Sequence, residues 1–123
     1  IIGQDSIIAA HAAHCASEQG KFWEYHDILF SNWNGENNGW ASSENILRFA
    51  EAIELDMDAF VECNMDERYA QKISASNADA QKLGITGTPA FYVISSNSQQ
   101  VQTLSGAQPY EVFERVFNSM LEN

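Results

Sequence analysis

Apolar residues along this chain follow two spacings. From Ser6 to Leu83 they recur every three or four positions, which is the period of helices with one buried face. Ser6 to Gln19 is Ala-rich and predicts a first helix, and Gly20 breaks it. Phe22, Tyr25, His26, Leu29, Phe30 and Trp33 then define an apolar stripe on a second. The cluster Asn34-Gly35-Glu36-Asn37-Asn38-Gly39 reads as a connection, after which Ser43 is placed to cap a helix carrying Ile46, Leu47, Phe49, Ala50 and Ile53. Asp56 restarts the pattern, with Phe60 and Val61 facing inward. A longer run from about Asp66 carries Tyr69, Ile73, Ala80 and Leu83, with Gly84 as its C-terminal cap.

After Gly87-Thr88-Pro89 the spacing changes. Ala90-Phe91-Tyr92-Val93-Ile94 is a β-branched and aromatic run that predicts a strand buried on both faces. Ser95 to Gln99 supplies a turn and Val101 to Leu104 a returning strand, which Gly106 ends. Pro109 suits the first turn of a last helix, whose stripe is Val112, Phe113, Val116, Phe117, Met120 and Leu121. Five helices, a hairpin and a helix leave a physical puzzle, because a lone two-stranded hairpin is marginal in water. Strands upstream of Ile1 complete the sheet, or a second copy pairs along its edge as a homodimer.

Composition narrows the function. Six Lys and Arg against seventeen Asp and Glu give a net charge of −11, and the basic residues are scattered singly. Nucleic acid, which is bound by clustered positive charge, is therefore not an expected partner. Apolar runs such as Ile7 to Ala10 fall far short of the roughly 20 residues a membrane helix needs. The chain opens Ile1-Ile2-Gly3 with no leader pattern and reads as an excerpt of a longer polypeptide.

Few residues offer chemistry. Cys15 and Cys63 are too far apart to form a Cys-x-x-Cys pair, and the residues alone leave a disulfide between two helices and two buried free thiols both open. His11 and Cys15 are four apart on one helix face, with His14 adjacent. Only that end has ligand-like spacing, so no metal site is assigned, and no third group is in view to orient His11 as a base for Cys15. The loop Asn34 to Gly39 holds one carboxylate and no calcium-loop spacing. His26 and the aromatic residues before it read as core. No cofactor is called for.

Two stretches resemble one family. Ala12-Ala13-His14-Cys15-Ala16-Ser17-Glu18-Gln19-Gly20-Lys21-Phe22-Trp23-Glu24-Tyr25-His26-Asp27 is similar to the start of the helical insertion of DsbA-like thiol-disulfide oxidoreductases. Leu83-Gly84-Ile85-Thr86-Gly87-Thr88-Pro89-Ala90-Phe91 resembles that family's approach to its cis-proline loop and third strand. The resemblance implies an α/β thioredoxin-like fold of DsbA type. Residues 1–84 would be the helical insertion domain and residues 85–123 the strand-strand-helix half, with the N-terminal strand-helix-strand missing.

It further implies a cis Pro89, a substrate-binding loop of Gly87, Thr88 and Pro89 for extended polypeptides bearing thiols or disulfides, and a Cys15–Cys63 disulfide clasping the insertion. Such a bridge closes a loop of about 49 residues, worth roughly 4 kcal/mol in the chain-entropy account. The family is extracytoplasmic or membrane-tethered. This sequence departs from the family pattern in lacking the Cys-x-x-Cys dithiol, so no catalytic residue is assigned and redox inactivity of the chain alone is expected. Two other readings share the architecture: a non-catalytic peptide-binding or scaffold domain, and a relative of glutathione-dependent isomerases and transferases. The upstream sequence discriminates, since Cys-x-x-Cys supports the oxidoreductase, no cysteine the binding module, and a lone Ser or Cys the glutathione enzyme.

Overall fold

A computed structural model describes residues 2–122. The elements, in chain order, are α1 (Gln4–Glu18), α2 (Phe22–Asn32), α3 (Ser43–Ala52), α4 (Met57–Met65), α5 (Ala70–Lys82), β1 (Ala90–Ile94), β2 (Val101–Ser105) and α6 (Tyr110–Leu121). Contacts divide the chain into two compact units, Ile1–Ala78 and Asp79–Asn123, with the division inside α5.

The first unit is all helix and is built around α1, which packs against α2, α3 and α4. Its buried positions Ala9, Ala12, Ala13 and Ala16 carry only methyl groups, so neighbouring backbones can approach closely. Larger side chains come from the surrounding helices: Tyr25 and Leu29 from α2, Ile46 and Phe49 from α3, and Phe60 from α4. The rings of Tyr25 and Phe60 lie 5.6 Å apart. Tyr25 is fully buried, and its hydroxyl donates to the Ile46 carbonyl at 2.9 Å. Burial holds its phenol well above the usual range.

Capping follows the expected chemistry with one shift. Ser42, not Ser43, caps α3, because its backbone is extended and its Oγ accepts from the Asn45 N–H at 3.2 Å while Ser43 already lies in the helix. Asp56 caps α4 by accepting from the Ala59 N–H at 3.1 Å. At the far end of α3, Lys21 reaches across to donate to the carbonyls of Ile53 (2.6 Å) and Glu54 (3.2 Å), groups that a helix leaves without partners. Gln19 makes a reciprocal pair with the Asp56 backbone, accepting its N–H at 2.7 Å and donating to its carbonyl at 3.1 Å. These two side chains tie the α1–α2 corner to the α3–α4 corner.

The stripe predicted on α2 is narrower than expected. Tyr25 and Leu29 are buried in the core and Phe22 packs against it half-buried; Phe30 and Trp33 are exposed, as is Trp23. The two buried residues face the helices that pack on α2, and Phe30 and Trp33, at the end of the stripe, stay exposed.

In the second unit β1 and β2 pair antiparallel, from Ala90 opposite Ser105 to Ile94 opposite Val101. Phe91 and Phe113 of α6 meet edge to face at 5.0 Å, so α6 covers one sheet face. The expectation that β1 is buried on both faces fails among the described residues, since Phe91, Tyr92 and Ile94 all retain exposure. A two-stranded sheet with one helix has too little material to cover both faces. Pro109 stands at the N-cap of α6, one residue before the helix, and not inside its first turn.

Candidate substrate loop and the cysteine bridge

α5 ends on a Gly84 with φ of +71°, a conformation glycine adopts without a Cβ clash. The last turn is closed by Gly84 N–H to the Gln81 carbonyl and Ile85 N–H to the Ala80 carbonyl, both 3.0 Å. The chain then bends through Gly87 and a cis Thr88–Pro89 peptide and enters β1. Gly87, Thr88 and Pro89 are all exposed. The Pro89 carbonyl accepts from the Gly106 N–H at 2.8 Å, which extends the β1–β2 ladder by one residue. Among the described residues, no hydrogen bond engages the backbone of Gly87 or Thr88. An unengaged, exposed backbone is what strand addition by another polypeptide requires.

Cys15 of α1 and Cys63 of α4 form a disulfide, with S–S 2.07 Å and a sequence separation of 48. Both are essentially without solvent exposure. Neither can meet a substrate sulfur in this state, since thiol-disulfide exchange requires access to the attacked sulfur.

Around the bridge, histidines have structural partners. The buried His11 accepts the Tyr69 backbone N–H on Nε2 at 3.0 Å. That leaves its hydrogen on Nδ1, which faces Asn64 Oδ1 at 3.2 Å and Cys15 Sγ at 3.6 Å. The ring thereby ties α1 to the start of α5. His14 stacks on Tyr69 at 4.8 Å, and burial, followed by the positive charge of Lys72 and the proximity of His11, lowers its pKa. Tyr69 in turn donates to Glu18 at 2.6 Å, and Arg68 contacts the other Glu18 oxygen at 2.7 Å. The Tyr69 hydrogen bond, with Arg68 behind it, holds the Glu18 carboxyl below its ordinary value. Among the described residues no group of three or more His, Cys, Asp or Glu is arranged to hold a metal ion.

The connection Asn34 to Gly39 spends its polar groups on the fold. Asn37 accepts the Gln4 N–H at 2.9 Å, and the buried Asp5 accepts the Gly39 N–H at 2.8 Å. His26 is half-buried, contacting Asp27 at 3.0 Å and the Phe30 ring at 4.6 Å. The placement of His11 was signalled by its spacing from Cys15, but its partner Tyr69 lies 58 residues on and left no local trace. Lys21 and Asp5 were likewise invisible as cap and anchor.

A family model described as a DSBA-like thioredoxin domain matches residues 1–118. Among curated proteins, the Na(+)/H(+) antiporter NhaA 3 of Salinispora tropica is 41% identical over 87 residues, covering 70% of this chain and 12% of the antiporter. The Na(+)/H(+) antiporter NhaA 1 of Salinispora arenicola is 35% identical over 103 residues, covering 81% of this chain and 15% of the antiporter. The probable disulfide bond formation protein D of Bacillus cereus is 27% identical over 96 residues, which is 75% of this chain and 44% of that protein. The chain thus spans under half the length of each of these relatives. No solved structure matches it.

Proposed function

The chain belongs to the DSBA-like thioredoxin domain family of thiol-disulfide oxidoreductases, and from that premise we propose that it supplies the helical domain and the substrate loop of such an enzyme while lacking the means to turn over alone. The observation that carries this reading is a division of labour. The only two cysteines in the sequence are joined and buried in the helical unit, while in the other, among the described residues, no hydrogen bond engages the exposed backbone of Gly87 and Thr88. Gly87, Thr88 and Pro89 hold an extended polypeptide bearing a thiol or disulfide, by main-chain pairing with Thr88. Proline suits the position beside the reacting sulfurs because it has no N–H of its own to satisfy.

The dithiol that would exchange with that substrate is a low-pKa cysteine pair on another part of the parent polypeptide; the greater length of the relatives supports this arrangement. An insulin-reduction assay tests it. The chain alone leaves the rate of dithiothreitol-driven precipitation unchanged, and acceleration by these residues alone would overturn the inactivity.

Proteins of this family are typically extracytoplasmic, and a stable internal disulfide belongs to an oxidising compartment. We place this domain outside the cytoplasm on that basis. Among the described residues no helix is long and apolar enough to cross a membrane, and the likeness to segments of antiporters favours a membrane tether for the parent. Surface proteolysis of intact cells reads this directly, and protection from an added protease would count against it. The unpaired edges of the β1–β2 hairpin also favour pairing between two copies of this chain. Light scattering over a concentration series gives a dimer mass if that edge is used and a constant 13.7 kDa if it is not.

A further inference from the structure

The segment Gly84–Thr88 is largely exposed, with Ile85 half-buried. Between it and the hairpin lies an open cavity of about 320 Å³, lined among others by Ile85, Thr86, Gly87, Tyr92 and Thr103. Gly84, Thr86, Gly87 and Thr88 are exposed. The Gly84 and Ile85 N–H groups tie the segment's start to the last turn of α5, and two hydrogen bonds at its ends tie it to the sheet. Upstream, the Tyr92 hydroxyl donates to the Leu83 carbonyl at 2.8 Å, from the face of β1 opposite to Phe91 and α6. Downstream, the Gly106 N–H donates to the Pro89 carbonyl at 2.8 Å. Gly106 has φ of +78°, in the left-handed region, and a Cβ there would meet nothing closer than Gln108 Nε2 at 3.9 Å. Glycine is therefore required by backbone conformation and not by space.

We propose that Tyr92 and Gly106 are positioning residues for substrate: together they frame the Gly84–Thr88 segment and fix where the Thr88 backbone is presented to an incoming strand. The inference rests on the substrate-loop reading above. Neither residue touches the substrate; each acts by fixing one end of the segment that does. A segment suspended over a cavity between two pins can be misaligned by loss of either, and a misaligned pairing edge costs affinity without unfolding the sheet.

The test is an NMR titration of the 123-residue chain with a short unstructured peptide carrying one S-methylated cysteine, a probe that cannot exchange with the Cys15–Cys63 bridge. In the wild-type chain the amide signals of Gly87 and Thr88 move on addition of peptide. Tyr92→Phe removes one hydroxyl, weakens binding by about three- to tenfold and leaves the melting temperature unchanged. Gly106→Ala weakens it by about tenfold or more, and Gly106→Asn, whose side chain tolerates the left-handed region, restores most of the loss. Wild-type affinity in both Tyr92→Phe and Gly106→Ala would overturn the positioning role while the substrate loop stands. A wild-type chain whose Gly87 and Thr88 signals ignore the peptide would overturn the loop reading itself, and with it this inference.

Discussion

Removing the Cys15–Cys63 bridge should destabilise the helical unit by about 4 kcal/mol. The separation of 48 in sequence closes a loop of about 49 residues. The chain-entropy relation gives about 13.7 cal/mol/K for that length, or about 4 kcal/mol at 25 °C. A paired Cys15→Ala and Cys63→Ala variant adds a smaller loss of packing, because both side chains are fully buried between α1 and α4. The three tryptophans, Trp23, Trp33 and Trp40, all lie in the helical unit, so their fluorescence follows that unit without contribution from the hairpin. Urea unfolding monitored this way, with and without a reductant, gives the difference directly. A reduced or substituted chain whose unfolding free energy falls by less than about 1 kcal/mol would refute the reasoning. It would mean that packing of α4 against the Ala stripe of α1 already confines the unfolded loop or holds the helices without the link.

Four smaller perturbations test other joints. Lys21→Met should cost about 1 kcal/mol in the same assay, by leaving the Ile53 and Glu54 carbonyls at the end of α3 without their donor; an unchanged midpoint would show that water replaces the ammonium at no cost. Tyr25→Phe should cost about 1 kcal/mol, because the Ile46 carbonyl loses a buried donor, whereas a neutral result would show that the hydroxyl's burial cost cancels its bond. Acid should destabilise the helical unit in two stages. His14, with its pKa lowered in the fold, penalises folding as pH falls below about 6.5, so His14→Gln should flatten melting temperature between pH 7 and 5. Glu18, also lowered, contributes stability that is complete above the ordinary carboxylate range and is lost as pH falls through its folded value, so Glu18→Gln should remove the steeper decline below about pH 4. Identical pH profiles in variant and parent chain would refute either assignment.

Much of the architecture was legible because helical spacing and turn chemistry are local signals. The stops at Gly20 and Gly84, the cap at Asp56 and the hairpin of Ala90–Ile94 with Val101–Ser105 all follow from residues within a few positions of one another. The extent of burial was less legible. Trp23, Phe30 and Trp33 are as apolar as Tyr25 and Leu29, but which of them reaches a neighbour depends on how α1 and α3 approach α2, which no single helix encodes. Ser42 and Ser43 are chemically equal as caps; the choice was made by the Gly39 turn, whose carbonyl accepts the Ser42 N–H at 3.2 Å. The joints that hold corners together, Lys21 to Ile53 and His11 to Tyr69, span 32 and 58 residues and have no local signature. For the candidate site, Gly87-Thr88-Pro89 was singled out by the family resemblance, since the change in spacing there marks only a strand entry, whereas the Tyr92 hydroxyl that pins its approach read only as part of a strand.

The two halves of this chain solve different physical problems. The helical unit satisfies its polar groups internally: Asp5, His11 and Tyr25 are buried and each has a hydrogen-bond partner, and the cysteines are locked together. Such a unit gains stability and presents little reactive surface. The hairpin unit does the opposite, since it leaves main-chain groups at Gly87 and Thr88 unpaired and exposed beside a cavity. An exposed backbone keeps its water in the free state and exchanges it for a strand at small net cost, which suits recognition of many polypeptide sequences through a common main chain. On the proposed function, specificity would then come from sulfur chemistry and not from side-chain contacts. On that argument, scrambling the residues that flank the S-methylated cysteine in a peptide probe should change its affinity for the Thr88 loop by less than about threefold, while replacing the flanking residue that pairs with Thr88 by proline, which removes a ladder donor, should abolish binding. Strong sequence preference in that comparison would show that side-chain pockets, and not the backbone of Thr88, carry recognition.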